Sequence, residues 1–324
     1  MQNNTPSPPA PSAPDPLLYN SPYIGRFAPS PTGPLHFGSL VAALASFLHA
    51  HTHHGRWLVR MEDLDPPREQ PGAADAILCS LEVHGLQWDG ELLFQSQRLP
   101  AYEETLAQLI AANLIYPCYC TRQDLQALGG IYNGRCRTET LPAHAPHALR
   151  LKLYDTPQLP TDMLSFMDLF QGLQHQNLRR TAGDAIVKRK DGLFAYQLAV
   201  VVDDIAQGIT HVVRGADLLD VTSRQIALFK LLQAPAPIYG HVPLALTHNG
   251  QKLSKQNHAP PLENARAGNN LWQALVFLGQ NPPSELEQAK VEDLMSWAIT
   301  HWDERQLCKI SSHQAPPGLD YPPC

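Results

Sequence analysis

Apolar and polar positions along the chain switch between a two-residue and a helical period, and the switches mark out the first elements. Tyr23 to Ala28 reads as a short strand, and a turn rich in Pro and Gly follows it. Ser39 to Leu48 is a run of small and apolar residues that reads as a helix able to lie close against a sheet. Trp57 to Met61 reads as a second strand, ending at the acidic run Glu62-Asp63-Leu64-Asp65. Strand, helix and strand within about forty residues form a βαβ unit and imply a parallel sheet.

Helical spacing recurs over 72–86 and 98–113, whereas 117–137 shows little regular pattern. Strands are predicted near Ala148–Tyr154 and around 164–168. The long apolar run Phe194 to Val202 reads as a buried strand, and Ile209 to Val213 as another after a Gln207-Gly208 turn. Asp217 to Leu232 reads as a helix, His241–Leu246 as a short strand, and 269–279, 284–298 and 302–309 as helices with polar faces. No internal repeat is evident. Both ends are rich in Pro, and 1–20 and 314–324 read as tails without periodic pattern.

The 324 residues are 44% hydrophobic and 17% charged, the balance of a soluble globular chain of about two domains. No apolar run reaches the roughly 18–20 residues that cross a bilayer, and the N-terminus lacks a charged region leading into an apolar core, so the expected location is the cytoplasm. A net charge of −6 gives no general pull toward nucleic acid but leaves room for a basic face. The densest basic cluster is Arg179, Arg180, Lys188, Arg189 and Lys190, readable as an RNA contact or as solvated hairpin ends. Disulfides are improbable in a cytosolic chain. Three of the six cysteines fall within nineteen residues, as Cys118, Cys120 and Cys136, which points toward a metal. A tetrahedral site needs a fourth ligand, and His144 and His147 lie just beyond.

Two segments carry most of the chemistry. Pro29-Ser30-Pro31-Thr32-Gly33-Pro34-Leu35-His36-Phe37-Gly38-Ser39 places a histidine and glycines at a helix start, where free N–H groups and the helix dipole favour a polyphosphate. His36 can donate to a phosphate oxygen as charge shifts, and Gly38 permits close approach of the nucleotide. About two hundred residues later, Lys252-Leu253-Ser254-Lys255-Gln256 sets two ammonium groups and a hydroxyl on one loop, a spacing able to bracket a pyrophosphate leaving group. Read singly, each segment also fits an ordinary surface turn. Read together, they suggest an enzyme that activates a carboxylate with ATP, bound in a sheet crevice at the carboxyl ends of the strands.

In this pairing the chain resembles the class I aminoacyl-tRNA synthetases, whose signatures are His-Ile-Gly-His and Lys-Met-Ser-Lys-Ser. Here they stand as His36-Phe37-Gly38-Ser39 and Lys252-Leu253-Ser254-Lys255-Gln256, with Ser39 and Gln256 as departures. The segments Arg26–Gly33 and Arg60-Met61-Glu62-Asp63-Leu64-Asp65-Pro66-Pro67-Arg68 resemble the glutamyl branch. So do the contexts of Tyr196 (Ala195 to Asp204) and Arg214 (Val213 to Leu219). The resemblance covers about residues 22–310. It implies a Rossmann-like parallel sheet with a zinc-bearing insertion and a short C-terminal helical segment. The parts would be 21–116 and 193–250 for the catalytic halves, 117–192 for the insertion and 251–313 for the lysine loop and helical segment.

The resemblance further implies that Arg26, Ser30, Glu62, Tyr196 and Arg214 form a glutamate pocket. Arginine forks suit the two carboxylates, while Glu62 and Tyr196 suit the ammonium. His36, Gly38, Ser254 and Lys255 would hold ATP with Mg²⁺, and His36, Lys252 and Lys255 would act in catalysis. The spacing of Cys118, Cys120, Tyr132 and Cys136 is similar to that of a truncated subfamily in which the tyrosine hydroxyl completes a structural Zn²⁺ site. The chain ends about seventy residues after Lys255, without the helical anticodon-binding region of full glutamyl-tRNA synthetases. It is therefore similar to the stand-alone glutamyl-Q tRNA(Asp) synthetases. That similarity implies tRNA-independent activation of L-glutamate and its transfer to queuosine at the wobble position of tRNA(Asp), by a monomer that receives the anticodon loop. Rival expectations are a shortened enzyme charging a tRNA 3′ end, a small-molecule nucleotidyltransferase, and a catalytically dead zinc-bearing RNA-binding module.

Overall fold

The computed structural model describes residues 21–138, 146–253 and 259–316. Its strands are β1 (Ile24–Phe27), β2 (Arg56–Met61), β3 (Leu93–Phe94), β4 (Ile115–Cys118), β5 (Ala148–Leu151), β6 (Met163–Asp168), β7 (Gly172–Asn177), β8 (Ala185–Lys188), β9 (His211–Gly215), β10 (Ile238–Val242), β11 (Leu244–Leu246) and β12 (Ser312–Gln314). The helices are α1 (Phe37–Thr52), α2 (Ala73–Val83), α3 (Leu99–Ala111), α4 (Arg122–Ala127), α5 (Leu178–Thr181), α6 (Tyr196–Ala206), α7 (Leu219–Leu231), α8 (Ala267–Phe277) and α9 (Val291–His301).

The predicted βαβ unit is present. β1 and β2 run parallel, with Arg26 opposite Leu58, and β3 continues the sheet parallel to β2. A second sheet has the order β7-β6-β10-β9, with β9, β10 and β6 parallel. Thr210 joins the two: its N–H donates to the Ile24 carbonyl, and its hydroxyl accepts from Ile24 N–H at 2.8 Å. The halves therefore diverge from a junction between β1 and β9. Their carboxyl ends, where the chain turns at Ser30, Glu62, Gly215 and Pro243, open on one side, the usual ligand crevice of an open α/β sheet.

α1 is the central helix and is buried on nearly all sides. Leu40, Val41, Ala43, Leu44, Ala45 and Leu48 are all within the core. Its small residues allow the close contact with β1 and β9 that the sequence pattern predicts, while α8 and α9 cover its far side. Even its polar Ser46 is inside, donating to the Arg26 carbonyl and accepting from Trp57 Nε1 at 3.0 Å. A third, antiparallel sheet, β4-β5-β8, belongs to the middle of the chain. β6 and β7 come from the same stretch of sequence but belong to the second sheet, through the pairing of β6 with β10.

Several elements depart from the sequence pattern. The run predicted as a strand over Phe194–Val202 is helix α6, which begins at Tyr196. Leu198 to Asp204 are buried on every face, so the run lacks the polar stripe that marks a helix. His241–Leu246 is not one strand: Pro243 has no N–H for a ladder and divides β10 from β11. The 284–298 stretch starts with a short 3₁₀ turn at Ser284–Leu286, and the helix proper is Val291–His301. The 302–309 stretch is a single 3₁₀ turn, Glu304–Leu307. β12 pairs in parallel with β11, so residues at the edge of the Pro-rich end belong to the fold. Residues 1–20 and 317–324 lie outside the described residues. No helix among those described is long and apolar enough to cross a membrane.

Candidate active site

A cavity of about 690 Å³ opens at the carboxyl ends of the parallel strands. It is lined by Arg26 and Ser30 from β1 and its turn, His36, Gly38 and Ser39 from the start of α1, and Glu62 beyond β2. Tyr196 at the start of α6, Arg214 at the end of β9, and Lys252-Leu253 after β11 complete it. The histidine turn and the first part of the lysine segment therefore share one cleft. Ser254 and Lys255 lie outside the described residues.

His36 caps α1. Its Nδ1 accepts from Ser39 N–H at 3.2 Å, and its carbonyl accepts from Ser39 and Leu40 N–H. In the neutral ring this assigns the proton to Nε2, the nitrogen suited to donate toward an anion. The lysine segment packs onto this turn. A Cβ at Gly38 would lie 3.2 Å from the His36 ring and 3.3 Å from the Leu253 carbonyl, a tight fit that would push either neighbour by a few tenths of an ångström. On the other side of the loop, His36 pairs with Pro261, and Leu262 N–H donates to the Leu35 carbonyl. Lys252 Nζ meets Asp217 at 2.5 Å, at the cavity edge.

The wall opposite carries the charges. Arg60 is fully buried and donates to Asp204 and to Gln207, each at 2.6 Å. Arg26 reaches the same Asp204 oxygen at 3.4 Å. Burial disfavours the Asp204 charge, but Arg60 and Arg26 outweigh it and hold this carboxyl below its ordinary range. Asp203, next along α6, is satisfied by Gln95, Arg98 and Tyr102. Glu62 has no such partner: its Oε1 lies 3.9 Å from Arg60 and makes no hydrogen bond. Burial pushes its carboxyl up from 4.5 to about 7, against the pull of Arg60 and Arg26.

Arg214 is held from behind. The Asp168 carboxylate fixes His241 Nδ1 at 2.5 Å, and His241 Nε2 accepts from Arg214 Nε at 3.1 Å. Burial lowers the His241 pKa despite Asp168, so the imidazole stays neutral and can act as that acceptor. Thr222 fixes Arg214 Nη2 at 2.8 Å. Arg214 Nη1 is buried and unpartnered within the protein. The cavity thus holds unmet carboxylate acceptors on Glu62 and Glu69 and an unmet cationic donor on Arg214. These complement the ammonium and a carboxylate of an amino acid. Tyr196, whose hydroxyl accepts from Gln225 at 3.3 Å, stands with them as the first residue of α6 rather than within a strand.

The sequence reading places Arg26, Ser30, His36, Gly38, Glu62, Tyr196, Arg214 and Lys252 here, and the structure brings all eight to one cavity. It misses Asp168, Asp204 and His241. Asp204 is visible as half of an acidic pair in an apolar run, a pattern that calls for buried cationic partners, but Asp168 and His241 carry no local signal. The basic cluster is partly neutralised: Arg179 pairs with Asp155, Lys188 with Glu103, and Arg189 with Asp65 and Asp191.

The three cysteines also come together. The sulfurs of Cys118, Cys120 and Cys136 lie within 4.8 Å of one another. The Tyr132 hydroxyl accepts from Cys136 N–H at 2.9 Å, in the same small cluster of buried side chains. Arg150 donates to Cys118 Sγ at 3.1 Å and covers the Tyr132 ring at 3.9 Å. Burial alone would raise the Cys118 pKa, but hydrogen bonds from Arg150 and Cys120 bring it below the ordinary value, whereas burial and its sulfur neighbours push Cys120 up to about 11. A Cβ at Gly183 would fall 2.3 Å from the Tyr132 carbonyl oxygen, so glycine there seats this tyrosine. His147 stands apart, against Tyr119, and His144 lies outside the described residues. Three thiols this close together could hold a metal ion, and the few buried side chains around them make a weak core without one.

The sheet, the crevice at its carboxyl ends and the paired turns define the catalytic core of a class I tRNA synthetase, an ATP-dependent ligase. The family model described as tRNA synthetases class I (E and Q), catalytic domain, matches residues 24–268. A glutamyl-Q tRNA(Asp) synthetase of Ectopseudomonas mendocina is 52% identical over 89% of this chain and 96% of its own length. One of Serratia proteamaculans is 51% identical over 86% and 90%. Among solved structures, a glutamate tRNA ligase from Elizabethkingia meningosepticum, in complex with its amino acid, superposes with a TM-score of 0.72 at 25% identity. That match covers 91% of this chain and 67% of the other. The chain belongs to the glutamyl-Q tRNA(Asp) synthetase family.

Proposed function

We propose that this protein activates L-glutamate with ATP in the absence of tRNA and then transfers it to the queuosine base at the wobble position of tRNA(Asp). The observation that carries the first half is the shared cavity. An orphan acceptor on Glu62 and an orphan donor on Arg214 adjoin a helix N-terminus capped by His36 and faced by Lys252. Glu62 takes the ammonium with Tyr196, and Arg26, Arg214 and Ser30 take the two carboxylates. A carboxylate oxygen of glutamate attacks the α-phosphorus, the bond to the bridging oxygen breaks, and pyrophosphate leaves with the electron pair. His36, through Nε2–H, and the α1 N-terminus stabilise the charge that develops, with Ser254, Lys252 and Lys255 on the leaving group and Gly38 giving the nucleotide room. The attacking carboxylate is already ionised, so no general base is needed. ATP would be bound as its Mg²⁺ complex, the ion offsetting triphosphate charge.

The second half rests on the names of the relatives, which are glutamyl-Q tRNA(Asp) synthetases over nearly their whole length. A hydroxyl of the modified base attacks the acyl carbon of the adenylate, and AMP departs. Cys118, Cys120, Cys136 and Tyr132 would hold Zn²⁺, which would brace the β4-β5-β8 region as a surface for the anticodon loop. The basic residues Arg179, Arg180, Lys188, Arg189 and Lys190 are candidate phosphate contacts there. The test is glutamate transfer to native tRNA(Asp) against an unmodified transcript. Labelling of native RNA alone supports the reading, and equal labelling of both at a 3′ end overturns it. Lys255→Ala serves as the inactive control.

A further inference from the structure

The end of the molecule opposite the cavity carries a second cluster of metal-type side chains. His36 and His49 stand thirteen residues apart on α1, so the two sites are separated by roughly 20 Å of helix. His49 lies in the last turn of α1 and His53 is its C-cap, with their rings stacked 4.5 Å apart. Glu304, from the C-terminal 3₁₀ turn, reaches His49 Nε2 at 2.9 Å. One ligand atom from each of the three lies within 4.8 Å of the other two.

The outer nitrogens of both rings are already held. His53 Nδ1 donates to the His49 carbonyl at 2.8 Å, which leaves its Nε2 lone pair for a ligand. His49 Nδ1 is fixed by the Tyr23 hydroxyl at 2.7 Å. Outer hydrogen bonds of this kind orient imidazoles that bind metals, and two histidines four apart on a helix are a common pair of ligands. His49 is 2% exposed. His53 and Glu304 are open to solvent, which gives an ion a way in.

We propose that His49, His53 and Glu304 form a second divalent transition-metal site, distinct from the cysteine cluster and separate from the catalytic cavity. Two imidazole nitrogens and one carboxylate oxygen suit Zn²⁺, with water in the fourth position. Binding requires only that the His49 proton sit on Nδ1, with Tyr23 then accepting it. The ion ties the turn at Glu304–Leu307 to the end of α1. That turn leads directly into the segment that bonds Phe170 through Lys309 and pairs with β11 beside the lysine loop. The site therefore acts as a staple under the scaffold of the loop.

The test uses the full-length protein, stripped of metal, reloaded with Zn²⁺ and counted after removal of free ion. Two equivalents are expected for the wild type. His53→Ala and Glu304→Gln, both at accessible positions, are each expected to bind one. His51→Ala and His54→Ala, adjacent but outside the cluster, are expected to keep two. Zn²⁺ should raise the melting temperature through this site, an increment that His53→Ala removes and Cys136→Ser leaves in place. A single equivalent in the wild type, or two in His53→Ala, would overturn the proposal.

Discussion

Replacing Glu62 by glutamine separates two properties that conflict in the wild-type side chain. Burial raises this carboxyl from 4.5 to about 7, with Asp204 and Asp203 adding to the rise and Arg60 and Arg26 resisting it. Each tenfold change in proton affinity is worth about 1.4 kcal/mol, so keeping Glu62 ionised in the folded, ligand-free protein costs about 3 kcal/mol. The unfolded group ionises near 4.5 and the folded one near 7. Between those values the unfolded chain binds fewer protons, so this group lowers stability as pH rises and has no further effect above the window. Glu62→Gln is therefore expected to be more stable than the wild type near pH 8, by up to about 3 kcal/mol, with the advantage fading toward pH 4.5. Urea melts at the two ends of this window read the difference. The same substitution removes the proposed ammonium partner and is expected to raise KM for glutamate by about 100-fold, the scale of a lost charge-assisted hydrogen bond. In the wild type, KM for glutamate should rise about tenfold from pH 8 to pH 6, as the ionised fraction of Glu62 falls. A variant no more stable than wild type near pH 8, joined to a KM that ignores pH, would show that Glu62 is not a strained buried carboxylate that binds the ammonium.

Further outcomes follow from the same geometry. His241→Leu removes the acceptor behind Arg214 and is expected to raise KM for glutamate about tenfold with little change in kcat, by the cost of one buried hydrogen bond; steady-state kinetics at saturating ATP decide it. Gly38→Val places carbon against the His36 ring and the Leu253 carbonyl and is expected to raise KM for ATP by more than about tenfold while leaving the fold intact by circular dichroism. Cys136→Ser, or removal of metal by a chelator, is expected to abolish transfer to RNA while sparing glutamate-dependent pyrophosphate exchange, because the cysteine cluster stands apart from the catalytic cavity. Leu44→Ala in α1, at 0% exposure, should cost about 2–5 kcal/mol in a denaturant melt.

The parts of the fold that could be read from the sequence are those in which one face meets the core and the other meets water, or in which a turn has fixed chemistry. The β1-α1-β2 unit is one, because the Pro/Gly turn, the small-residue helix and the apolar strand each point the same way. α6 defeats the same reasoning, since a helix buried all round has no polar stripe and its Val200-Val201-Val202 run imitates a strand. β7 escapes notice for the opposite reason: Gln174, His175, Gln176 and Asn177 look like a loop, yet they form an edge strand along β6. In the site, residues inside short motifs, such as His36 and Glu62, are legible. Asp168 and His241 are not, because they meet Arg214 only when β6, β9 and β10 pair. The second histidine cluster is equally silent, as its carboxylate comes from a turn some 250 residues away in sequence.

On the proposed reading, one cavity joins glutamate to a nucleotide without help from RNA. The most direct test is ATP–pyrophosphate exchange by the full-length protein, freed of nucleic acid. Exchange that requires L-glutamate, proceeds without tRNA and is lost in Arg214→Ala is the predicted result. Exchange that is absent until tRNA is added, or that runs equally well without glutamate, would contradict it.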